Sequence, residues 1–424
     1  MANKQKISGV RGMDDLLPAE SELFTHVENT ARQIFARYGF QEIRTPLVEP
    51  TELFVRGVGE SSDIVGKEMY TFLDRNQVSL SLRPEGTASV VRAYVAANLS
   101  QLEALTRLYY MGPMFRYERP QKGRTRQFYQ IGLEVFGITA PAADVDVITL
   151  GHDLLKELLP KNKIELQINS LGCGDCRPAF QKKLIEYLSA RAEKLCEDCQ
   201  RRLQKNPMRV FDCKNEACQA ELKSAPVISG AWCEVCSTHY AQVKQGLQAA
   251  NVSFVENPRI VRGLDYYMRT AFEFLSADLG AQSAVGAGGR YDGLVASLGG
   301  AEVPGVGMAF GVERLVMLLQ QQNVQVPKPE TVFLAVISEA AISQAIQIVS
   351  QLRRAQIAVQ WDFEAKSLKS QMKKADKVAA RWVVMLGEDE LKQAFAVVRN
   401  MQTKEQNNVP FAELVKFFQK NGEV

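Results

Sequence analysis

The chain has 424 residues, of which 46% are apolar and 23% are charged, and its formal net charge is +3. This composition excludes an intrinsically disordered chain, and the length predicts two or three globular domains. No run of about 18 apolar residues occurs that could span a membrane. The first residues, MANKQKISGVRGMDD, lack the apolar core of a secretory signal, so we expect a cytosolic protein.

The first predicted elements are a long helix followed by short strands. Apolar residues at spacings of three and four predict an amphipathic helix over 19–38. The elements that follow are strands over 42–49, 68–74 and 79–83, a helix from about 88 to 99, and a strand over 105–118.

The segment LRPEGT (82–87) lies at a strand-to-helix junction. Pro84 ends the strand, Gly86 allows close approach of the backbone to a ligand, and Thr87 can cap the helix. Glu85 then projects near the helix N-terminus, where it can bind an ammonium group. The alternative is that Glu85 only stabilises the helix dipole.

The strand QFYQIGLEVFG (127–137) alternates between two faces. One face carries Tyr129, Ile131, Leu133 and Val135 and is predicted to be core. The other face has a gap at a glycine between two hydrogen-bonding side chains, with a phenylalanine at each end: Phe128, Gln130, Gly132, Glu134 and Phe136. This second face is predicted to form the floor of a ligand site.

Two short segments concentrate basic residues on a nearly neutral chain. One contains five cations and a single acid, Glu118: Arg116, Arg119, Lys122, Arg124 and Arg126. The other contains five lysines and a single acid, Asp376: Lys366, Lys369, Lys373, Lys374 and Lys377. Local charge of this kind favours phosphate contacts, and a solvated surface is the alternative for either segment.

All eight cysteines lie within residues 171–254, a region predicted to be mainly helical. They form four closely spaced pairs in the sequence: Cys173 and Cys176, Cys196 and Cys199, Cys213 and Cys218, and Cys233 and Cys236. Close thiol pairs in a cytosolic protein favour zinc over disulfides, and eight thiolates suit two tetrahedral sites. Spacing does not show which cysteines share a site, and reduced cysteines without metal are the alternative.

The segment VRGLDYYMRTAFEF (261–274) brings cations and tyrosines to the start of an apolar strand. This pattern favours a pocket for a flat polar ligand beside a cation, and a turn before a half-buried strand is the alternative. We expect Asp265 and Arg269 to form a supporting ion pair.

Two glycine-rich segments follow, GAGGRYDGL (286–294) and PGVGMAFGVERL (304–315). Neither fits the dinucleotide-binding or P-loop pattern. Arg314 enters a helix directly after the second glycine-rich strand, so it starts from the sheet surface where a ligand would lie.

The end of the chain is predicted to be a separate small domain. The segment VQVPKPE (324–330) indicates a linker. After it, short apolar strands alternate with helical segments at 339–354 and 366–377, a rhythm typical of an α/β domain.

Several of these segments together resemble a known family. F-R-x-E at 115–118 and G-x-G-x-x-x-G-x-E-R at 305–314 resemble motifs 2 and 3 of class II aminoacyl-tRNA synthetases. More specifically, LRPEGT, RPQKGRTRQF, RGLDYY and AGGRYDGL resemble signature segments of the bacterial histidyl-tRNA synthetase family. The resemblance extends from VRGMDD at residue 10 to the C-terminus.

The resemblance implies an ATP-dependent histidine–tRNA ligase that forms histidyl-adenylate and then esterifies the terminal adenosine of its tRNA. It implies that Arg262 and Arg116 are catalytic, with Arg116 on the α-phosphate and Arg262 beside it. It implies ATP binding by Arg116, Arg124, Arg314 and Glu118, with Mg²⁺ on the outer phosphates of ATP.

The resemblance also implies the histidine pocket. Glu85 and Thr87 would bind the α-ammonium group, and Gln130 would lie near the carboxylate. Glu134 and Tyr267 would hydrogen-bond the imidazole, and Tyr266 would line the pocket. None of the three histidines of the chain falls in a motif, so we expect no histidine general base and structural roles for His26, His152 and His239.

The implied fold is an α+β catalytic domain, in which an antiparallel sheet is flanked by helices, with a helical insertion and a C-terminal α/β anticodon-binding domain. The expected ranges are 1–170 and 255–325 for the catalytic domain, 171–254 for the insertion and 329–424 for the C-terminal domain. The family is a homodimer, and its motif 1, near 35–52 with Pro46, would lie at the interface.

Two other functions are compatible with parts of the pattern. One is a catalytically silent paralogue such as the regulatory subunit of ATP phosphoribosyltransferase, which typically loses the signature residues and the C-terminal domain. The other is a zinc-containing nucleic-acid binder, which would explain the cysteines and lysines but not the arginines.

Overall fold

The computed structural model describes residues 7–60, 62–326 and 330–421. The chain divides into two units, Met1–Val324 and Gln325–Val424. Residues 327–329 of the predicted linker lie outside the described residues. Among the described helices, none has both the length and the apolar character needed to cross a membrane.

The first unit contains an α+β body and a helical segment inserted into it. Its strands are β1 (Gln41–Glu42), β2 (Val48–Pro50), β3 (Thr71–Leu73), β4 (Ser79–Leu82), β5 (Thr106–Phe115), β6 (Gln127–Phe136), β7 (Ile164–Ser170), β8 (Val255–Glu256), β9 (Met268–Ser276), β10 (Ala284–Arg290) and β11 (Gly305–Gly311). Its helices are α1 (Pro18–Arg37), α2 (Thr51–Val58), α3 (Thr87–Ala96), α4 (Leu99–Leu102), α5 (Pro141–Leu158), α6 (Cys176–Ser189), α7 (Glu197–Lys205), α8 (Glu216–Leu222), α9 (Glu234–Ala249), α10 (Leu294–Ser297) and α11 (Val312–Gln321).

Eight of the described strands form one mixed sheet in the order β1-β5-β6-β11-β10-β9-β7-β8. The six central strands pair antiparallel, as expected, whereas the two-residue edge strands β1 and β8 pair parallel with their neighbours. The strands β2, β4 and β3 form a smaller antiparallel sheet.

The two faces of the large sheet have different partners. On one face, Ile131, Leu133 and Val135 join a core that includes apolar residues of α1, α5, α9 and α11, which confirms the predicted core face of β6. On the other face, Tyr110 and Phe136 join a core that continues into the inserted helices. The site described below lies on this second face.

Several predicted element bounds differ from the structure. The predicted strand over 68–74 begins instead with a π-helical turn, Ile64–Glu68, and only Thr71–Leu73 pairs as a strand. The predicted helix over 88–99 divides into α3 and α4, because Asn98 adopts a left-handed conformation with φ of 51°. The helix predicted over 19–38 is confirmed as α1.

The second unit is a small α/β domain, as predicted. Its strands are β12 (Thr331–Val336), β13 (Ala358–Trp361), β14 (Trp382–Leu386), β15 (Phe395–Asn400) and β16 (Gln406–Pro410), and its helices are α12 (Ile342–Arg354), α13 (Leu368–Lys377), α14 (Glu388–Lys392) and α15 (Leu414–Asn421). Strands β13, β12 and β14 pair parallel. The sequence reading missed β15 and β16, which extend the sheet with antiparallel pairs.

Candidate active site

A buried carboxylate, Glu134, lies at the centre of the candidate site. It is only 1% exposed, and its Oε1 accepts a hydrogen bond of 2.7 Å from the Thr87 hydroxyl. Its Oε2 accepts a hydrogen bond from the hydroxyl of Tyr291. Gly307 lies opposite Glu134 on β11, and a Cβ atom there would lie 1.8 Å from Glu134 Oε2. Glycine at this position therefore provides the space that the carboxylate occupies.

The environment of Glu134 changes its acidity. Burial raises the pKa of Glu134 to about 8, against the opposing effect of the hydroxyl donors Tyr291 and Thr87, and the nearby carboxylate of Glu85 raises it further. An N–H donor from a ligand would favour the ionised form, so ligand binding and proton release are coupled at this residue.

Glu85 caps helix α3 instead of projecting from it. Its two carboxylate oxygens accept backbone N–H bonds of 2.8 Å each from Thr87 and Ala88. The expected capping role of Thr87 is wrong, since its hydroxyl bonds Glu134 instead. Glu85 Oε2 also lies 3.4 Å from the hydroxyl of Tyr266, and burial raises the pKa of Glu85. Glu85 is thus both a helix cap and part of the site.

The glycine gap predicted at Gly132 is filled by a side chain. A Cβ atom on Gly132 would lie 2.2 Å from the ring of Tyr110, and a Cβ on Gly86 would lie 2.1 Å from the same ring. The two glycines therefore hold Tyr110 between β6 and the start of α3. The prediction that Gly132 leaves a gap on the ligand floor is therefore wrong, whereas the approach of a ligand to the backbone of Gly86 stays a prediction.

Three tyrosine rings form a wall beside Glu134. The ring centroids of Tyr266 and Tyr267 are 4.6 Å apart, and Tyr291 lies 5.7 Å from Tyr266 and 6.5 Å from Tyr267. Gln130 lies on the same strand as Glu134, and its buried Oε1 has no hydrogen-bond partner within the described part of the chain. A polar group without a partner is costly when buried, so Gln130 is suited to bind a polar ligand.

Four arginines, here called the arginine cluster, adjoin this pocket: Arg116, Arg124, Arg262 and Arg314. Protein acceptors fix their directions. Arg116 Nε donates to the carbonyl of Pro84 at 2.9 Å. Arg262 donates to Glu273 at 2.6 Å, and its Cζ lies 5.1 Å from the ring centroid of Tyr267.

The other two members of the cluster are held at the opposite end. Arg314 donates to the carbonyls of Gly123 and Ala284 at 3.3 and 2.5 Å. Arg124 forms an ion pair with Glu118, whose other oxygen lies 4.0 Å from Arg116. Glu118 therefore holds two cations of the cluster in place.

Three members of the arginine cluster, Arg116, Arg124 and Arg314, carry unfavourable electrostatics that an anion would relieve, whereas the pKa of Arg262 is raised because Tyr267 and Glu273 outweigh its burial. Burial lowers the pKa of Arg314, and the charges of Arg124 and Arg116 lower it further. Burial also lowers the pKa of Arg116, and the nearby charge of Arg262 lowers it further. Half-buried guanidinium groups that repel one another are suited to bind phosphate.

The expected ion pair between Asp265 and Arg269 is replaced by other contacts. Asp265 accepts a hydrogen bond of 2.9 Å from Asn206, and Arg269 lies 3.8 Å from Asp292. Arg269 adopts φ of 50°, so the backbone turns sharply there, just after the two tyrosines.

One residue of the site, Tyr291, was missed from the sequence. It lies directly after β10, in the segment GGRYDGL, for which the sequence predicted only glycine-rich backbone. The resemblance of AGGRYDGL to a signature segment of the family was the signal that could have identified it, and the pairing of β10 with β11 and of β11 with β6 brings Tyr291 to Glu134.

The cysteines gather into two sets of four. The proximal thiol site consists of Cys173, Cys176, Cys233 and Cys236, and the distal thiol site consists of Cys196, Cys199, Cys213 and Cys218. Within each set all sulfur atoms lie within 4.8 Å of one another. Four sulfurs bound to zinc at about 2.3 Å lie about 3.8 Å apart, and the distances of 3.6 Å for Cys173 to Cys176 and 3.8 Å for Cys196 to Cys213 fit that geometry.

The three histidines lie outside the site, in keeping with the expectation of structural roles. His239 is buried with its Nε2 atom 3.7 Å from Asp144, and His152 lies 3.3 Å from Asp153. His26 lies on α1.

Comparisons with known proteins cover almost the whole chain. Residues 12–315 match the histidyl-tRNA synthetase family, and residues 331–421 match an anticodon binding domain. The chain is 50% identical over 403 residues to a histidine–tRNA ligase of Syntrophotalea carbinolica, covering 95% of this chain and 96% of that one. It is 49% identical over 404 residues to a histidine–tRNA ligase of Geobacter sulfurreducens, covering 95% and 97%. A crystal structure of apo S. aureus histidyl-tRNA synthetase is similar with a TM-score of 0.82 and 32% identity, covering 98% of this chain and all (100%) of that one.

Proposed function

The chain belongs to the histidyl-tRNA synthetase family, and from this premise we propose which of its residues carry each part of the reaction. The activity is that of an ATP-dependent histidine–tRNA ligase, a class II aminoacyl-tRNA synthetase. Histidine and ATP give histidyl-adenylate and pyrophosphate, and the histidyl group then passes to the 3′-terminal adenosine of the tRNA. The match to this family and the names of these relatives argue against the two rival functions, a silent paralogue and a zinc-containing nucleic-acid binder.

Glu134 is the residue that recognises the imidazole ring. The two hydroxyl donors of Thr87 and Tyr291 fix its carboxylate, and each oxygen has a further lone pair for an imidazole N–H. Tyr267 bonds the other side of the ring, and Tyr266 lines the pocket. An apolar amino acid of similar size would leave the buried carboxylate without this partner, which is a strong basis for rejection.

The polar ends of histidine bind at the edge of the same pocket. The α-ammonium group binds beside Glu85, whose position at the N-terminus of α3 is fixed by two backbone N–H bonds. Thr87 lies in the same turn of helix, and its hydroxyl oxygen, which donates to Glu134, can accept a hydrogen bond from the ammonium group. Gln130 lies near the substrate carboxylate, to which its side-chain amide N–H groups can donate.

The arginine cluster binds ATP and stabilises the transition state of adenylation. The carboxylate of histidine attacks the α-phosphorus, pyrophosphate leaves, and negative charge builds on the oxygens of the α-phosphate. Fixed guanidinium groups stabilise that charge without reorganisation. Arg116 and Arg262 act at the α-phosphate, whereas Arg314 and Arg124, with Glu118, act at the outer phosphates. ATP enters as its Mg²⁺ complex.

The second unit is the part that contacts the anticodon arm of the tRNA. Five lysines were expected to form a basic segment there, and the structure divides them into two groups. Lys366 and Lys374 form ion pairs with Asp362. The remaining three, here called the lysine row, are exposed at a spacing of four on α13: Lys369, Lys373 and Lys377. The lysine row has the exposure that phosphate contacts need.

The protein acts as a homodimer through the region near motif 1. Exposed apolar side chains support this proposal, because they concentrate on the small sheet and the segments beside it: Leu47, Val48, Phe72, Leu73 and Val78. Leu73 is 59% exposed, which is unusual for a leucine in a strand. Replacing it by glutamate is expected to shift the sedimentation coefficient to that of a monomer, and an unchanged dimer would contradict this location.

Each thiol site binds one structural Zn²⁺. Besides the sulfur spacing, backbone N–H groups point at the sulfurs: Cys233 N donates to Cys176 Sγ at 3.1 Å, and Cys196 N donates to Cys218 Sγ at 3.2 Å. Such donors stabilise thiolate charge. Free thiols in this number also support a cytoplasmic location. We expect about two equivalents of zinc after metal-replete expression, and less than about half an equivalent would contradict both sites.

The observation that carries the substrate assignment is the buried carboxylate of Glu134 between two hydroxyl donors. The test is ATP–pyrophosphate exchange with each amino acid in turn. Exchange is expected with histidine and not with leucine or phenylalanine. No exchange with histidine would contradict the activity, and equal exchange with leucine would contradict the role of Glu134.

A further inference from the structure

The proximal thiol site lies where the inserted segment leaves and rejoins the large sheet. Cys173 and Cys176 follow directly after β7, which ends at Ser170, and Cys233 is the N-cap of α9. The indole of Trp232, next to Cys233, donates to the carbonyl of Ser170 at 3.1 Å. The four thiols therefore join both ends of the insertion at one point of the catalytic body.

Arg177 connects this thiol site to the histidine pocket. It follows Cys176 in the first turn of α6, and its guanidinium donates to the backbone carbonyl of Tyr267. Its Nε also donates to the carbonyl of Leu171 at 3.4 Å. The Arg177 side chain thus forms hydrogen bonds with the main chain of the insertion, at Leu171, and with the main chain of the pocket, at Tyr267.

The backbone provides a second connection. Leu171 N donates to Arg269 O at 2.6 Å, and Arg269 N donates to Gly172 O at 2.8 Å. These bonds hold Arg269 at its positive φ of 50°, a conformation that is costly for a residue other than glycine. The sharp turn after Tyr267 is therefore supported by the segment that carries Cys173 and Cys176.

We propose that metal binding at the proximal thiol site positions Tyr266 and Tyr267 for histidine, with Arg177 as the positioning residue between them. This inference rests on the zinc proposed above. Metal fixes residues 171–177 against the start of α9, and that segment holds the main chain of Tyr267 and Arg269. Loss of the metal frees this segment, and the wall of the histidine pocket becomes less ordered. Arg116, Arg124 and Arg314 are held by other elements, and Arg262 is held by Glu273 as well as by the ring of Tyr267, so ATP binding is affected less.

The distal thiol site is a natural control. Among the described residues, its segment is linked to the pocket by the side-chain pair Asn206 with Asp265. Its Arg202 and Arg209 contact Asp63 at 3.4 and 3.1 Å, and the carbonyl of Lys223 accepts a hydrogen bond of 2.7 Å from Arg259. It has no described hydrogen bond to the main chain of Tyr267. Its metal is therefore expected to stabilise the insertion with a smaller effect on histidine binding.

Two serine variants are closely matched for this test. Cys233 is the N-cap of α9 and Cys196 is the N-cap of α7, and both are half-buried. Serine is a good N-cap residue, so each replacement removes a metal ligand and keeps the helix start. Arg177→Gln removes the connection without touching a thiol. Zinc content is measured by elemental analysis, and the Kd values of histidine and of a non-hydrolysable ATP analogue are measured by calorimetry.

Cys233→Ser is expected to lose about one equivalent of zinc and to raise the Kd of histidine by about 10-fold or more, as removal of groups around a metal site commonly does. Cys196→Ser is expected to lose about one equivalent of zinc from the distal thiol site and to change the Kd of histidine by less than about 3-fold. Arg177→Gln is expected to keep its zinc and raise the Kd of histidine by about 10-fold. The Kd of the ATP analogue is expected to change less than about 3-fold in all three variants.

The outcomes distinguish this inference from the zinc proposal. Wild-type protein that contains no zinc after metal-replete expression would overturn both. Wild-type protein with two zinc ions, in which Cys233→Ser and Cys196→Ser change the Kd of histidine equally, would overturn only the coupling proposed here. An unchanged Kd in Arg177→Gln would also overturn it.

Discussion

Histidine affinity is predicted to depend on pH because Glu134 must be ionised to accept an imidazole N–H. Burial gives this carboxyl group a pKa of about 8 in the free protein. A protonated Glu134 offers a donor where the ligand needs an acceptor, so only the ionised fraction binds well. Since a ligand donor favours ionisation, affinity rises as pH increases through the pKa, and a proton is released on binding.

The size of the effect follows from the ionised fraction. With a pKa of about 8, roughly 9% of Glu134 is ionised at pH 7 and roughly 76% at pH 8.5, so the apparent Kd of histidine is expected to fall about eightfold. The imidazole of free histidine, with an ordinary pKa of about 6.5, is mostly neutral over this range and adds little to the change, whereas partial loss of the α-ammonium proton near pH 8.5 opposes part of it.

The assay is calorimetric titration of histidine at several pH values, without ATP. In Glu134→Gln the affinity should be lower and its increase with pH over this range should be lost. Glu49→Gln is the control, because Glu49 is also a buried carboxylate, 4% exposed, but is paired with Arg92. An affinity in the wild type that is flat between pH 7 and 8.5, or a slope that persists in Glu134→Gln, would refute the reasoning.

Three further predictions concern the arginines, the missed tyrosine and the tRNA. Arg262→His is expected to slow adenylation by about 100-fold in rapid-quench kinetics while the Kd of ATP changes less than about 3-fold, because Glu273 holds Arg262 towards the charge that develops in the transition state. Equal losses in the adenylation rate and in ATP binding would mean that Arg262 only binds ATP. Tyr291→Phe leaves one oxygen of Glu134 without its donor and is expected to raise the KM of histidine about tenfold in the exchange assay, whereas an unchanged KM would show that this bond is dispensable. Replacing the lysine row by glutamines is expected to raise the KM of tRNA and reduce its salt dependence without affecting pyrophosphate exchange; the paired lysines Lys366 and Lys374 are the control, and an equal effect in both sets would contradict the assignment.

Local patterns in the sequence predicted those parts of the fold that depend on local spacing. The apolar spacing of α1 and the alternation of β6 placed their core faces correctly, because each pattern is set within one element. Strands β15 and β16 were missed, since they carry short apolar runs and polar residues whose pairing is decided by the rest of the sheet. The parallel pairing of the edge strands β1 and β8 could not be predicted either, because each strand is only two residues long.

At the site, residue types were easier to predict than contacts. Glu134 was recognised as a pocket residue from its face of the strand, but the hydroxyl of Tyr291 reaches it across two strand pairings that no local pattern reveals. Gly132 was interpreted as a gap, whereas Tyr110, from the neighbouring strand, fills it. The grouping of the cysteines into two sets could not be read from spacing either, because it depends on how the inserted helices pack.

The most direct test of the account is a crystal structure of the protein with histidine bound. An imidazole nitrogen is predicted to lie about 2.7–3.1 Å from a carboxylate oxygen of Glu134, with the α-ammonium group beside Glu85. An imidazole ring bound away from Glu134, with that carboxylate bonded only to Thr87 and Tyr291, would contradict it.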